Sequence, residues 1–233
     1  KRGEGKMKVK KLVQKEVLDL SCYEVKTILE RKPDEKIVKM NLNENFAIPN
    51  DTIQEMLVDA CRSIDVRAYP PPRGSLSIKA ISQFLGFSED EVSVANGADE
   101  IMDLLMKVLV RKGSKVITVE PSFPMYTFFT QLYGGSTVPV LFKPDFSLDV
   151  DAVLEKTDKN TKLLFICSPN NPTGNQFREA NIKRLLQEFN GVVIVDEAYV
   201  DFAQGSIINW VRDYDNLVVL RSFSKAFGLA GLR

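Results

Sequence analysis

The chain has 233 residues, of which 44% are hydrophobic and 27% charged, as is typical of a soluble globular protein. It carries 31 Lys+Arg and 31 Asp+Glu residues, so no net field recruits nucleic acid or an anionic membrane. No apolar run reaches the roughly 20 residues that span a bilayer. The absence of histidine excludes His-based triads and His metal sites within this chain, and no metal site is predicted. Three widely spaced cysteines predict free thiols and a cytoplasmic location.

The chain begins with a basic stretch and then alternates between helical and strand patterns. Residues 1–15 carry seven basic side chains and one acidic one, and predict a solvated arm. From about residue 50, apolar residues at helical spacing predict amphipathic helices, and short β-branched runs between them predict strands. The predicted helices are Asp51–Ser63, Ser75–Leu85, Ala98–Arg111, Phe123–Leu132, Val150–Lys156, Arg178–Phe189 and Ile207–Asp213. The predicted strands are Val92–Val94, Lys115–Val119, Thr137–Leu141, Leu163–Cys167, Val192–Val195 and Leu217–Leu220.

This alternation predicts an α/β fold with a mostly parallel sheet between helical layers. Several strands are apolar on consecutive residues, as expected where both faces of a sheet are covered. In such sheets, ligands bind beyond the carboxyl ends of the strands. The polar residues that follow the predicted strands are therefore the candidates for function.

Two of these strand ends offer an anion site and an amide. Val94 leads to Gly97 and a helix start, which is a ready anion site, although an ordinary N-cap is the simpler interpretation when this feature is taken alone. Cys167 leads to the run Ser-Pro-Asn-Asn-Pro-Thr-Gly. Its two prolines make a rigid loop, which either presents an amide to a ligand or is a tight structural turn.

The next two strand ends offer a carboxylate and an amine. Val195 is followed by Asp196, a carboxylate near the core that needs a cationic partner, either a ligand or a buried salt bridge. Leu220 leads to Lys225, and Phe223 and Phe227 around it predict a partly desolvated amine suited to Schiff-base chemistry. Together, the four strand ends offer what the phosphate, ring oxygen, ring nitrogen and aldehyde of a pyridine aldehyde phosphate require.

At these residues the chain resembles the fold-type I pyridoxal-phosphate enzymes, in particular the histidinol-phosphate aminotransferase branch. Two runs are typical of the wider aminotransferase family: Ser168–Gly174, and Ser222–Arg233 with its Ser-Phe-Ser-Lys and Ala-Gly-Leu-Arg segments. The segments that resemble the branch itself are Asn41–Asn45, Ala68–Pro70 and Gly97–Glu100. The resemblance covers about residues 20–233.

The resemblance implies a role for each of a set of residues toward pyridoxal 5′-phosphate. Lys225 holds the cofactor and moves the proton, Asp196 pairs with the ring nitrogen, and Asn171 and Tyr199 bond the ring oxygen. In the same way, Tyr126 stacks on the ring, and Tyr69 reaches the cofactor of the partner in a homodimer. The residues implied to bind the cofactor phosphate are Ala98, Asp99, Ser222, Ser224 and Arg233, and those implied near the substrate are Tyr23 and Asn43.

The reaction implied by the resemblance is transamination between L-histidinol phosphate and 2-oxoglutarate in histidine biosynthesis. Alternatives within the same fold are an aminotransferase for aromatic amino acids and a decarboxylase of the threonine-phosphate type. The resemblance also implies an N-terminal arm with part of a small domain over residues 1–45 and a cofactor-binding large domain over 46–233. Because the family continues past this point with a C-terminal small domain, a non-catalytic cofactor-binding fragment is the alternative of another class.

Overall fold

The computed structural model describes residues 12–20 and 39–232. The chain alternates between helices and strands from residue 97 onward. The α-helices are α1 Lys15–Leu18, α2 Asn50–Arg62, α3 Ser75–Leu85, α4 Gly97–Leu109, α5 Met125–Leu132, α6 Val150–Glu155 and α7 Glu179–Glu188. The strands are β1 Lys115–Glu120, β2 Ser136–Leu141, β3 Thr161–Cys167, β4 Val192–Asp196 and β5 Leu217–Leu220. Short 3₁₀ turns lie at Pro72–Gly74, Glu89–Glu91, Val200–Phe202, Ile208–Arg212 and Ala230–Leu232.

The five strands form one parallel sheet in the order β2-β1-β3-β4-β5. The central strand β3 is buried along nearly its whole length, which explains its continuous apolar sequence. Strand β2 lies at one edge and contains Pro139, which an edge strand tolerates because one side of its backbone needs no ladder partner. The prediction of an α/β fold with a mostly parallel sheet is therefore confirmed.

Successive side chains of each strand point to opposite faces, and each face has its own helical cover. On one face, Leu164 and Ile166 of β3 pack with apolar residues of α6 and α7. On the other face, Leu163 and Phe165 pack with residues of α4 and α5. In β4, Ile194 lies on the face covered by α4 and α5. Because side chains alternate along a strand, Asp196, the last residue of β4, points toward the same face.

Most predicted elements occur within one or two residues of their expected bounds, but two do not occur as expected. Val92–Val94 was expected to be a strand, and Val92 is extended with φ −118° and ψ 134°, yet it pairs with no strand among the described residues. The segment expected to form a helix over Ile207–Asp213 is instead a 3₁₀ turn, Ile208–Arg212. Within residues 12–20 and 39–232, no helix is both long and apolar enough to cross a membrane.

Candidate functional site

The carboxylate that ends β4 is buried and has two hydrogen-bond donors. Asp196 is 4% exposed, and its Oδ2 accepts from the Tyr126 hydroxyl at 2.7 Å. Its Oδ1 accepts from the backbone N–H of Ala198 at 3.0 Å. Burial raises the pKa of Asp196, while these two donors act to lower it. No ion pair in the described part of the chain includes this carboxylate, so none of the described residues supplies the cationic partner that a buried charge requires.

The adjacent residue, Glu197, makes a buried ion pair that the sequence analysis missed. Its side chain is 3% exposed and accepts from Arg221 Nη2 at 3.0 Å and Nε at 3.2 Å. Ser206 Oγ donates to the same carboxylate at 2.6 Å, and the backbone N–H of Ile207 donates at 2.9 Å. Arg221 directly follows β5, so this ion pair joins the carboxyl ends of two neighbouring strands. A carboxylate and an arginine at adjacent strand ends were the signal that could have revealed it.

The loop after β3 uses one of its two asparagines for structure. Asn170 is 3% exposed, and its Nδ2 donates to the Pro121 carbonyl at 3.0 Å and to Thr173 Oγ1 at 2.7 Å. Its Oδ1 accepts from the Ser122 hydroxyl at 2.8 Å. Asn171 is half-buried at the same strand end. Because Asn170 is committed to the loop, Asn171 is the asparagine better suited to contact a ligand.

Lys225 lies beneath the segment of residues 42–45. Its Nζ donates to the carbonyl of Leu42 at 2.9 Å and lies 5.6 Å from the centre of the Tyr199 ring. Asn43 Nδ2 donates to the Tyr199 hydroxyl at 3.0 Å, and Asn45 Nδ2 donates to the Ala226 carbonyl at 2.8 Å. The structure therefore brings together Lys225, Tyr199 and Asn43, three residues that the sequence analysis singled out.

The predicted anion-binding residues lie around the start of α4 and the loop after β5. Gly97 has φ +77°, and Ala98 and Asp99 are half-buried in the first turn of α4. Ser222 and Ser224 line a cavity of about 690 Å³ together with Gly97. Asp196, Tyr199 and Lys225 do not line this mainly apolar cavity, which extends from the loop toward α3. The cavity therefore adjoins the predicted phosphate site but does not include the groups predicted to take part in the reaction, Asp196, Tyr199 and Lys225.

Tyr126 does not lie where the predicted ring stacking requires. It is 1% exposed, and its ring stacks on Phe165 with a centroid distance of 4.5 Å and an interplanar angle of 17°. With no open face, it is not available to stack on a ligand, and the prediction needs this correction. Phe123, in the loop two residues before α5, is half-buried and meets Tyr126 edge-on at 5.7 Å and 84°. Sequence reasoning could not tell which of these two aromatic residues faces outward.

Three of the predicted site residues remain: Tyr69, Tyr23 and Arg233. Tyr69 is 99% exposed, in a region where α2 buries none of its side chains. Tyr23 and Arg233 lie outside the described residues. In the part of the chain that the structure describes, no cluster of three or more His, Cys, Asp or Glu residues could hold a metal ion.

Comparison with protein families agrees with the observed fold. Residues 35–233 match the family model described as aminotransferase class I and II. The chain belongs to this aminotransferase family. Three similar curated relatives are histidinol-phosphate aminotransferases, from Thermoanaerobacter sp. (36% identical), Methanosarcina barkeri (36%) and Thermococcus gammatolerans (40%). The alignments cover 97%, 95% and 84% of this chain, but only 63%, 62% and 56% of those relatives.

Solved structures of other aminotransferases share the fold. The histidinol-phosphate aminotransferase of Sinorhizobium meliloti, solved with pyridoxal 5′-phosphate, is 24% identical with a TM-score of 0.74. The tyrosine aminotransferase of Leishmania infantum is 22% identical with a TM-score of 0.73. Each similarity covers 82% of this chain, and 53% and 59% of the respective structures. At this level of identity the likeness establishes the fold alone, which matches the family's α/β architecture.

Proposed function

We propose that this chain binds pyridoxal 5′-phosphate and carries out transamination between L-histidinol phosphate and 2-oxoglutarate. The products are imidazole-acetol phosphate and L-glutamate, in histidine biosynthesis. The observation that carries the proposal is the buried carboxylate of Asp196, held by two donors at the end of β4 without a cation among the described residues. The family membership and the names of the curated relatives support the choice of reaction and substrate.

The residues present fit the cofactor. A protonated ring nitrogen would supply the cation that none of the described residues gives to Asp196, because a buried carboxylate is stable only when it is paired and hydrogen-bonded. Asn171 and Tyr199 are both half-buried at strand ends and offer donors for a ring oxygen. Phe123, half-exposed and in contact with Tyr126, is the aromatic residue we assign to stacking on the ring, in place of Tyr126. When bound, the cofactor supplies an electron sink for the carbanion formed at the substrate Cα.

Lys225 would hold the cofactor and move the proton. The structure provides its amine with an acceptor, the Leu42 carbonyl at 2.9 Å, and with the face of the Tyr199 ring. Once released from the cofactor, Nζ would remove the proton from the substrate Cα. The Tyr199 hydroxyl, fixed by Asn43, orients the ring oxygen, and the placement of Asn43 beside Tyr199 supports its proposed nearness to the substrate.

We assign the cofactor phosphate to the start of α4 and the loop after β5. The positive end of a 13-residue helix favours an anion there. Ala98 and Asp99 would contribute their N–H groups, and Ser222, Ser224 and Arg233 their side chains. Glu100 Oε2 accepts from the backbone N–H of Asn96 at 2.5 Å, so this carboxylate lies at the start of α4 and already satisfies one N–H group there.

A homodimer is part of this proposal. Helix α2 buries none of its side chains. Two of its apolar side chains are largely exposed: Met56 is 65% exposed and Val58 is 48% exposed. Tyr69 is 99% exposed nearby, as a residue that reaches the cofactor of a partner subunit would be when the chain is alone. Exposed apolar side chains in one segment are typical of an interaction surface. We also propose the division into an arm with part of a small domain over residues 1–45 and a large domain over 46–233, and a cytoplasmic location.

The test of the proposal is covalent trapping of the cofactor. The chain is mixed with pyridoxal 5′-phosphate, reduced with borohydride and digested, and peptide masses are measured. We expect the pyridoxyl adduct on the peptide that contains Lys225, and no adduct at this peptide in Lys225→Ala. Lys107→Ala, which changes an exposed lysine of α4, serves as the matched control and should keep the adduct. An adduct that is spread over surface lysines, or that Lys225→Ala retains, would refute the assignment.

The reaction itself is tested with substrates. Glutamate formation from 2-oxoglutarate is measured with histidinol phosphate and, in parallel, with an aromatic amino acid as donor. Release of carbon dioxide is measured with threonine phosphate. Glutamate formed best with histidinol phosphate supports the proposal, whereas carbon dioxide release supports a decarboxylase. Trapped cofactor without either product supports the cofactor-binding fragment.

A further inference from the structure

We propose that Tyr126 is a positioning residue for Asp196, whose carboxylate it orients toward the ring nitrogen of the cofactor and whose ionised form it favours. This inference rests on the proposed function, and it replaces the stacking role expected from the sequence. Tyr126 would act through Asp196 and would not touch the cofactor itself.

The position of Tyr126 follows from the pleat of β4. Ile194 belongs to the face covered by α4 and α5, and Asp196, two residues later, points the same way. Tyr126 lies near the start of α5 on that face, and its hydroxyl donates to Asp196 Oδ2 at 2.7 Å. The backbone N–H of Ala198 donates to the other carboxylate oxygen, Oδ1, at 3.0 Å. Since each carboxylate oxygen accepts up to two hydrogen bonds, a further donor can approach without displacing these two.

The groups that face Asp196 make the contribution of Tyr126 necessary. Burial is the largest influence and raises the pKa of Asp196, and the charges of Asp99 and Glu197 raise it further. Cys167, paired with Asp196 across the sheet, has a pKa raised to about 12 and stays neutral. Against these, Tyr126 and the Ala198 N–H lower the pKa. Among the described residues, Tyr126 is thus the side chain whose hydrogen bond favours the ionised form.

Tyr126 is itself held in one orientation. Its ring stacks on Phe165 at 4.5 Å, Phe123 packs against it edge-on, and Thr130 donates to its backbone carbonyl at 2.7 Å. Burial and the charge of Asp196 raise the pKa of Tyr126 well above its usual value, so the phenol keeps its proton and remains a donor. A donor fixed in advance stabilises the ionised carboxylate without reorganisation when the cofactor binds.

The chain offers a matched control for this contact. Tyr133 follows α5 and donates to Asp103 Oδ1 at 2.9 Å, so Tyr133→Phe also removes one bond from tyrosine to a carboxylate. Neither Tyr133 nor Asp103 belongs to the proposed site. A loss of general stability should therefore appear in both variants, whereas a positioning effect should appear only in Tyr126→Phe.

The first experiment measures the pKa of Asp196 without cofactor. Isotope-labelled aspartate is followed by NMR through a pH titration, with the Asp196 signal assigned from Asp196→Asn. We expect a higher Asp196 pKa in Tyr126→Phe than in wild type, and no change in Tyr133→Phe. If Tyr126→Phe does not fold, replacement of all tyrosines by fluorinated tyrosine keeps the bond but strengthens the donor, and the Asp196 pKa should fall. An unchanged pKa would overturn the proposal.

The second experiment measures the dissociation constant for pyridoxal 5′-phosphate. Because a hydrogen bond to a charged group contributes roughly a factor of 10 or more, Tyr126→Phe should bind about 10-fold more weakly, and Tyr133→Phe within about 2-fold of wild type. If wild type binds and both variants bind equally well, the positioning role is refuted and the proposed function stands. If wild type takes up no cofactor, the proposed function is refuted, and the NMR titration still decides whether Tyr126 controls Asp196.

Discussion

The ion pair between Glu197 and Arg221 gives the sharpest prediction on stability. Arg221→Met removes two hydrogen bonds to Glu197 and one, at 2.7 Å, to the Ser206 hydroxyl. Breaking a fully buried ion pair from one side costs about 3–5 kcal/mol. Glu197 is 3% exposed but Arg221 is 28% exposed, and Ser206 and the Ile207 N–H still solvate the carboxylate. We therefore expect the free energy of unfolding to fall by about 2–3 kcal/mol.

Urea unfolding, followed by circular dichroism, measures this change. Arg184→Met is the matched control, since Arg184 pairs with Asp151 and Glu188 at 2.8 Å but is 44% exposed, and it should change the free energy of unfolding much less than Arg221→Met. The double variant Glu197→Gln with Arg221→Met should be more stable than Arg221→Met alone, because it removes the unpaired buried charge. Equal losses for Arg221→Met and Arg184→Met would refute this reasoning.

Two further predictions concern a buried thiol and a close backbone approach. The Cys167 thiol, with its pKa raised to about 12 from about 8.5 when unfolded, contributes stability that is complete below about pH 8.5 and lost as pH rises toward 12. Unfolding free energies should therefore decline less steeply in Cys167→Ala over that range, and peptide masses after alkylation of the native chain should show labelling of exposed Cys61 but not Cys167. Gly135→Ala would bring a Cβ to 2.7 Å from the Val110 side chain and should lower the free energy of unfolding by about 1–3 kcal/mol. Gly205→Ala meets nothing within 4 Å and should change the urea midpoint little, so equal effects of the two would contradict the packing argument.

The sequence predicted the sheet well because its strands are covered on both faces. Apolar runs such as Leu163–Cys167 can be buried only as central strands, and helices of ten residues or more, such as α4, have enough turns to reveal their period. Val92–Val94 has the same local preference but no partner strand among the described residues, and pairing is a tertiary property. The five residues Ile208–Arg212 are too few to separate a period of 3.0 from one of 3.6.

The candidate site was predicted from the polar residues that follow each strand in the sequence. Which of these side chains touch one another depends on tertiary contacts, which the sequence order does not specify. Lys225 and Tyr199 come close in the structure as the strand ends suggested. Tyr126 lies in α5 but Phe123 lies in the loop before it, so their directions do not follow from one helical period, and choosing between them required coordinates. The contact between Lys225 and the carbonyl of Leu42 involves backbone, which carries no residue signature.

The contacts of residues 42–45 have a kinetic consequence. Three hydrogen bonds, donated by Lys225 to Leu42, by Asn45 to Ala226 and by Asn43 to Tyr199, join residues 183, 181 and 156 positions apart in the chain. Closing a loop of that length costs about 4–5 kcal/mol of chain entropy, but it is closed once for all three bonds. These contacts therefore form and break together, and they form late, after the local helices and neighbouring strands. During synthesis, the contacts of residues 42–45 with Tyr199, Lys225 and Ala226 are therefore completed only after Ala226 has left the ribosome.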